Sequence, residues 1–286
     1  MISPRLLRRR IRSVQSTAKI TRAMEMIATA RMKRAQDQAL AGRPYSEKIS
    51  QLISDLACGA TGDGATHPLL ERRATINRIA IVHITSNRGL CGGLNTNINQ
   101  LTGKFILEQS EPTTLITVGR KGRDFMTRSR RDIRAEFTEI SDRPTQLETL
   151  PISHIIIDDY TSGYVDLVYV AYTRFINTMQ QRPTMDLLLP IEPAEIPKTE
   201  TTEYIYEPDP RSVLGGLLPR FVEMKIYQAI LEAVASEHSA RMIAMRNATE
   251  NAHEIIDHLT LTLNKARQEM ITKELLDISG GVEVLH

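Results

Sequence analysis

The sequence predicts an α/β protein: a long antiparallel coiled coil of the N- and C-terminal helices plus a central Rossmann-like α/β domain. Three observations predict it. From Phe221 to Ser279, about sixty residues pass without a Gly or Pro, and Arg5 to Ala41 is a second such run. At a rise of about 1.5 Å per residue, single helices over these runs would measure roughly 90 and 55 Å, far beyond the usual 11–12 residues. Between them, short β-rich runs alternate with helical stretches, the pattern of a parallel α/β sheet. The expected division is 1–57 for the N-terminal coiled-coil helix, 76–208 for the α/β domain and 209–286 for the C-terminal helix.

The N-terminal run carries a seam at three- and four-residue steps: Ile11, Val14, Ala18, Thr21, Glu25, Ala28, Met32, Ala35 and Ala39. Most of these are small, so a partner backbone can approach closely. Gly42-Arg43-Pro44 is expected to end this helix, with a shorter one from Tyr45 to Ala57. Residues 58–75 read as a loop. Arg78–Thr85 reads as a buried strand, followed by a glycine turn and a helix from about Leu94 to Ser110. Thr113–Val118 is a second strand and Gly119-Arg-Lys-Gly122 a second turn, with helix from Asp124 onward. A helix over 148–162 opens at Pro151 and ends at Gly163; Asp166–Arg174 is the third strand. Residues 176–208 are broken by prolines and read as extended, with Tyr204-Ile-Tyr206 a candidate edge strand.

The C-terminal run has its own seam: Met224, Tyr227, Leu231, Val234, His238, Arg241, Met245, Ala248, Ala252, Ile255 and Leu259. Pro219 and Gly280-Gly281 stand where start and stop residues are expected. A small domain cannot cover so long a helix, so the two runs are expected to pair with each other.

Composition narrows the function. Apolar residues make up 41% of the chain and there is no Trp, which gives a lean core. The net charge is only +2, yet residues 1–34 hold ten Lys or Arg against one acid, Glu25. Such an excess points to an acidic partner: nucleic acid, an anionic membrane or an acidic protein surface. Cys58 and Cys91 do not make a disulfide framework and fit a reducing compartment. No run of about 18 apolar residues offers a membrane span. Met1–Arg12 is Arg-rich but lacks the apolar core of a secretory signal, and the helical pattern begins too early to leave a separate transit segment.

Asn87-Arg-Gly-Leu-Cys-Gly-Gly93 occupies the strand–turn–helix setting of phosphate loops. It has no Gly-Lys-Ser/Thr ending, and its G-x-x-G-G spacing is not the dinucleotide fingerprint. Cys91 has no base placed by motif, and the seven His residues show no metal-ligand spacing. Asp158-Asp159 reads as a solvated helix end. No constellation here has the makings of an active site, a metal centre or a cofactor site.

The seams themselves carry a resemblance. Ile20-Thr-Arg-Ala-Met-Glu-Met-Ile-Ala-Thr-Ala-Arg-Met-Lys33 resembles the signature of the gamma subunit of F-type ATP synthases. So do Ser236–Ala252 and Asn264–Leu275. Ser86–Asn95 is similar to that family's central glycine turn, and Tyr204-Ile-Tyr-Glu-Pro-Asp-Pro210 to its foot segment. The matches run in order from Ile11 to Gly281.

The resemblance implies a non-catalytic rotor shaft without a cofactor. Proton flow through a membrane c-ring turns the shaft inside a hexamer of alternating alpha and beta subunits, beside an epsilon subunit. Lys19, Arg22, Met24, Arg31 and Lys33 would face an acidic loop of the beta subunits. Arg241, Gln268, Thr272 and Glu274 would make polar contacts with the hexamer. Tyr204, Tyr206 and Glu207 would form the foot toward the membrane ring. On this reading the partner is protein rather than nucleic acid, and membrane association comes only through the complex, on the cytoplasmic side of a bacterial plasma membrane. Plant-type members carry an inserted cysteine pair; nothing between Phe137 and Leu150 corresponds to it, so thiol switching of that kind is not expected. Two other readings remain at this level: a basic coiled coil that binds nucleic acid, and a nucleotide-binding α/β enzyme.

Overall fold

A computed structural model describes residues 3–59, 67–192 and 209–283. The chain divides into two compact units, one of Met1–Ala28 with Arg241–His286 and one of Thr29–Ala240. Two long helices, α1 (Pro4–Gly59) and α5 (Pro210–Glu283), contribute to both.

The larger unit is built on a five-stranded sheet in the order β3-β2-β1-β4-β5. Its strands are β1 (Ile79–Ile84), β2 (Thr113–Val118), β3 (Asp132–Phe137), β4 (Leu167–Phe175) and β5 (Gln181–Leu189). The first four are mutually parallel, as the alternation predicts; β5 returns antiparallel to β4. Every residue of β1 is buried, so its side chains feed two cores by turns, as the period of two requires. Ala80, Val82 and Ile84 join a core with Ile152, Ile156 and Tyr160 of α4 (Gln146–Thr161), Leu218, Val222 and Ile226 of α5, and Ile49 and Ile53 of α1. Ile79 and Ile81 join the opposite core with Ile98 and Ile106 of α2 (Leu94–Glu108) and Met126 of α3 (Arg120–Arg128).

Several boundaries differ from expectation. α1 does not stop at Gly42-Arg43-Pro44 but runs through Pro44. An interior proline costs about 3 kcal/mol. The buried face continues in step beyond it to Ile49 and Ile53, and each such side chain returns about 1.5–3 kcal/mol on burial. The same logic carries α5 through Pro219, between buried Leu218 and Val222. That helix begins instead at Pro210, where proline at the first helical position loses no bond. Asp209 caps it, accepting from the Arg211 and Ser212 amides at 3.0 Å each. α5 also continues past Gly280-Gly281 to Glu283. α4 opens at Gln146 rather than at Pro151: Glu148 accepts from the Thr145 amide at 3.2 Å, half of a capping box.

Two strands went unseen in the sequence. β3 is an edge strand whose residues alternate between exposed and half-buried, so its charged side chains mask the pattern. β5 contains Pro183, which an edge strand tolerates. Tyr204–Tyr206 lies outside the described residues.

The smaller unit is a helix pair. Thr21 Oγ1 lies 2.7 Å from Thr249 Oγ1, and Glu25 accepts from Arg246 Nε at 3.1 Å. Moving up one helix moves down the other, so the pairing is antiparallel, as predicted.

Candidate functional surface

The seam of the helix pair forms from small side chains. Ala18, Thr21, Glu25 and Ala28 are all buried, and across from them Met242, Met245, Thr249 and Ala252 are buried too. The Thr249 hydroxyl donates to the Met245 carbonyl at 2.9 Å while meeting Thr21. Beyond Ala252 the expected seam departs at one position: Ile255 is 50% exposed and Ile256 is half-buried in its place, whereas Leu259 is half-buried as expected. Of the predicted contact residues in this unit, Lys19, Arg22, Gln268, Thr272 and Glu274 are exposed and Met24 is half-buried. Arg241 is buried, at 8% exposure, within its own chain.

The basic face is less bare than the sequence suggests. Arg22 Nη1 donates to Glu25 Oε2 at 2.8 Å, so Glu25 holds two arginines. Burial alone pushes the Glu25 carboxyl up, but the hydrogen bonds and charges of Arg246 and Arg22 outweigh it and hold the group below the ordinary carboxylate value. Glu25 thus remains ionised inside the seam. Beside it runs a groove of about 740 Å³, floored by Ala18, Ala23, Met26 and Ile256 and edged by Lys19 and Arg22 on one helix and Glu250 on the other. A small-residue seam with buried polar pins needs contacts that sequence spacing does not encode. Arg246 sits on the flank of the seam, and nothing in its spacing marks it.

In the larger unit, Arg31 pairs with Asp142 and Lys33 is exposed. A cleft of about 470 Å³ brings Arg31, Arg34 and Arg143 together with the single acid Asp142. Gln38 Nε2 donates to Tyr227 Oη at 2.6 Å and to the Pro144 carbonyl at 3.2 Å, tying α1 to α5 and to the loop before α4. Tyr204, Tyr206 and Glu207 lie outside the described residues.

The glycine turn proves structural. Leu90 and Gly92 adopt φ of 63° and 58°. Asn95 locks the turn, accepting from the Ser86 amide and donating to Cys91 Sγ at 3.2 Å. In a doubly wound sheet a ligand sits beyond the carboxyl ends of the strands, where the strand order reverses. Here that point lies between β1 and β4, and α5 closes over it: Ser236 Oγ donates to the Thr173 carbonyl at 2.9 Å. The space left near Thr85, Gly119 and Val234 is about 40 Å³, against roughly 300–1,000 Å³ for a ligand pocket. Asp159, expected in solvent, is buried and paired with Arg134 at 3.3 Å. Its neighbour Asp158 is exposed as expected.

His83 is fully buried on β1. Nε2 lies 2.8 Å from Asn99 Oδ1 and Nδ1 lies 3.0 Å from Thr102 Oγ1, an arrangement that suits a neutral ring protonated at Nε2. Burial pushes its pKa down to about 4. Both partners sit on α2, so the ring pins that helix to the sheet. Among the described residues, no helix is long and apolar enough to cross a membrane, and no His, Cys, Asp and Glu side chains group as a metal site would.

Fold and surface together define a class of protein: a helix pair joined to an α/β body whose usual ligand crevice is covered by its own helix. The sequence profile for ATP synthase matches residues 3–285. The ATP synthase gamma chain of Dehalococcoides mccartyi strain CBDB1 is 57% identical over 285 residues, covering all of both chains. That of Roseiflexus castenholzii is 46% identical over 288 residues, covering all of this chain and 99% of the relative. The chain belongs to the ATP synthase gamma-chain family. Solved structures share its fold: a chain of the Euglena gracilis mitochondrial ATP synthase (the OSCP, F1 and c-ring structure) has a TM-score of 0.69 at 20% identity, over 99% of this chain and 94% of that one. A chain from the central stalk and c-ring of the Tetrahymena thermophila enzyme has a TM-score of 0.63 at 23% identity, covering 80% of this chain and 99% of that one.

Proposed function

We propose that this chain is the central shaft of a bacterial F-type ATP synthase. It couples proton flow through the membrane c-ring to conformational cycling of the catalytic beta subunits, and carries no chemistry itself. The observation that carries the reading is full-length identity of 57% to a gamma chain, joined to a helix pair whose outward faces remain apolar. Ile20, Met26 and Ile27 are each more than half exposed, as are Leu275 and Leu276. A shaft changes which state of a neighbour is lowest in free energy only by touching the states differently. An asymmetric surface, basic at Lys19, Arg22 and Arg31 and apolar at Met26, supplies such a difference.

On this reading Lys19, Arg22, Met24, Arg31 and Lys33 meet an acidic loop of the beta subunits. Gln268, Thr272 and Glu274, with Arg241 in support, contact the alpha–beta hexamer. Tyr204, Tyr206 and Glu207 approach the ring, and the epsilon subunit completes the stalk. The chain then sits on the cytoplasmic face of the plasma membrane and is held there by the complex. Charge reversal of Lys19, Arg22 and Lys33 together is expected to lower ATP-driven proton pumping in reconstituted vesicles severalfold, with the circular dichroism of the chain unchanged. Undiminished pumping would show that the basic face is merely solvated. A pull-down from the native membrane fraction should bring the hexamer and the ring with it.

A further inference from the structure

We propose that Glu25 is a positioning residue. It holds Arg22 and Arg246, one from each helix of the pair, as a two-guanidinium clamp for a carboxylate-bearing segment of the catalytic subunits. The proposal rests on the shaft reading and adds two residues, Glu25 and Arg246, that the family resemblance does not assign to the interface.

The placement of charge is the argument. The Glu25 side chain is 7% exposed, in a seam otherwise lined by Ala18, Thr21 and Ala28. Stability alone does not require a carboxylate there, because replacing a buried ion pair by well-packed apolar residues is often neutral or stabilising. The two arginines it binds are not buried with it: their side chains are 61% and 51% exposed. One oxygen takes Arg22 Nη1 and the other takes Arg246 Nε. Each guanidinium has five donors, so most remain for an outside acceptor. The buried anion thus fixes two solvent-facing cations and removes the rotamer freedom each would otherwise lose on binding.

The three groups sum to +1, and Lys19, one turn before Arg22, edges the same groove. Ala23, Met26 and Ile256 in the groove give an apolar seat beside Lys19 and Arg22, with Glu250 on its far edge. The occupant this fits is an amphipathic segment with at least two carboxylates, paired fork to fork with the arginines.

The test uses the complete synthase reconstituted in vesicles, reading protons pumped per ATP hydrolysed at low and high salt. Arg22→Gln with Arg246→Gln is expected to lower the ratio about tenfold at low salt, and Glu25→Gln alone severalfold. The triple variant is expected to be no worse than the double one, because Glu25 acts through the arginines. Glu25→Asp, which keeps the charge but shortens the reach, should restore part of the loss. Circular dichroism at assay temperature checks that the helix pair remains formed. Two results overturn the inference while leaving the shaft reading intact: an unchanged ratio for Glu25→Gln beside a reduced one for the double variant, or a Glu25 effect that adds in full to theirs. Failure of the unaltered chain to assemble with the hexamer would instead remove the shaft reading.

Discussion

The two units solve the burial problem in opposite ways. The α/β unit sinks large side chains into both faces of its sheet: Ile81, Val82, Leu115, Ile116 and Val168 are all at most 1% exposed. The helix pair closes mainly on alanine, threonine and one carboxylate, with Leu7, Met242 and Met245 the long apolar exceptions, and leaves Ile20, Met26, Ile27, Leu275 and Leu276 outside. One unit is self-sufficient; the other is finished only by partners. Substitutions should therefore register differently in the two: on stability in the first, on assembly in the second.

The largest stability effect is expected at Gly119. It caps the start of α3 with φ of 94°, and a Cβ there would stand 2.1 Å from the Thr85 carbonyl oxygen. The nearest atoms are Thr85 backbone, which cannot swing aside as the end of a side chain can. Gly119→Ala should cost about 4 kcal/mol or more, since strain at a special backbone conformation adds to the clash. A urea midpoint measurement on the purified chain reads this directly. A loss under about 1 kcal/mol would mean that β1 and α3 approach less closely than described.

A smaller effect should appear with pH. His83 is held neutral in the folded state down to about pH 4, whereas an unfolded chain protonates the ring near its ordinary 6.5. Above pH 6.5 both states are neutral and the ring contributes no pH dependence. As pH falls through this window the unfolded chain takes up a proton that the folded chain refuses, so stability falls. The full loss is roughly 3 kcal/mol. In the helix pair, Glu25 acts in the same direction but in a lower window: its depressed pKa keeps its contribution present above the ordinary carboxylate value, and that contribution fades as pH falls further. Midpoints for the unaltered chain should therefore drop between pH 6.5 and 4.5, and those for His83→Gln should drop much less. Equal slopes would remove His83 as the cause.

How far the sequence foretold this follows from the same contrast. Periodicity finds elements that bury one face: β1, β2, β4 and both seams stood out because Ile, Val and Ala recur at the right steps. It misses elements that bury little, which is why β3, with Arg134 and Glu136 outward, falls inside the helix expected from Asp124 onward. It also overweights proline. Pro44, Pro151 and Pro219 each sit inside a helix whose apolar face continues past them, and one lost bond does not outweigh several buried side chains. The Thr145–Glu148 capping signal for the start of α4 lies ahead of the helix expected over 148–162, whose opening is expected at Pro151. The contact face of the helix pair was readable as excess charge, but not its wiring. Nothing in the spacing says that Glu25 would hold Arg246, 221 positions away; Arg241, by contrast, turns inward as its place on the seam predicts.

The smallest stability effect is expected where the apolar surface is most conspicuous. The antiparallel pairing matches Thr21 with Thr249, so residue numbers add to about 270 and Pro4 falls opposite roughly residue 266. Beyond that, α5 has no partner from α1, and Met270, Ile271, Leu275 and Leu276 are 45–65% exposed. Leu275→Gln with Leu276→Gln changes two largely exposed side chains, so the stability of the isolated chain, read by thermal unfolding, should stay within about 0.5 kcal/mol of the original. Four such side chains on one short stretch are more than solubility favours, and a helix face of this kind gains by burial against another surface. The same double substitution should therefore weaken association with the alpha–beta hexamer in sedimentation, by roughly thirtyfold if each leucine gives up about 1 kcal/mol of burial. If it destabilised the isolated chain instead, the end of α5 would be part of a core, and the division between a self-sufficient unit and an unfinished one would fail at its clearest point.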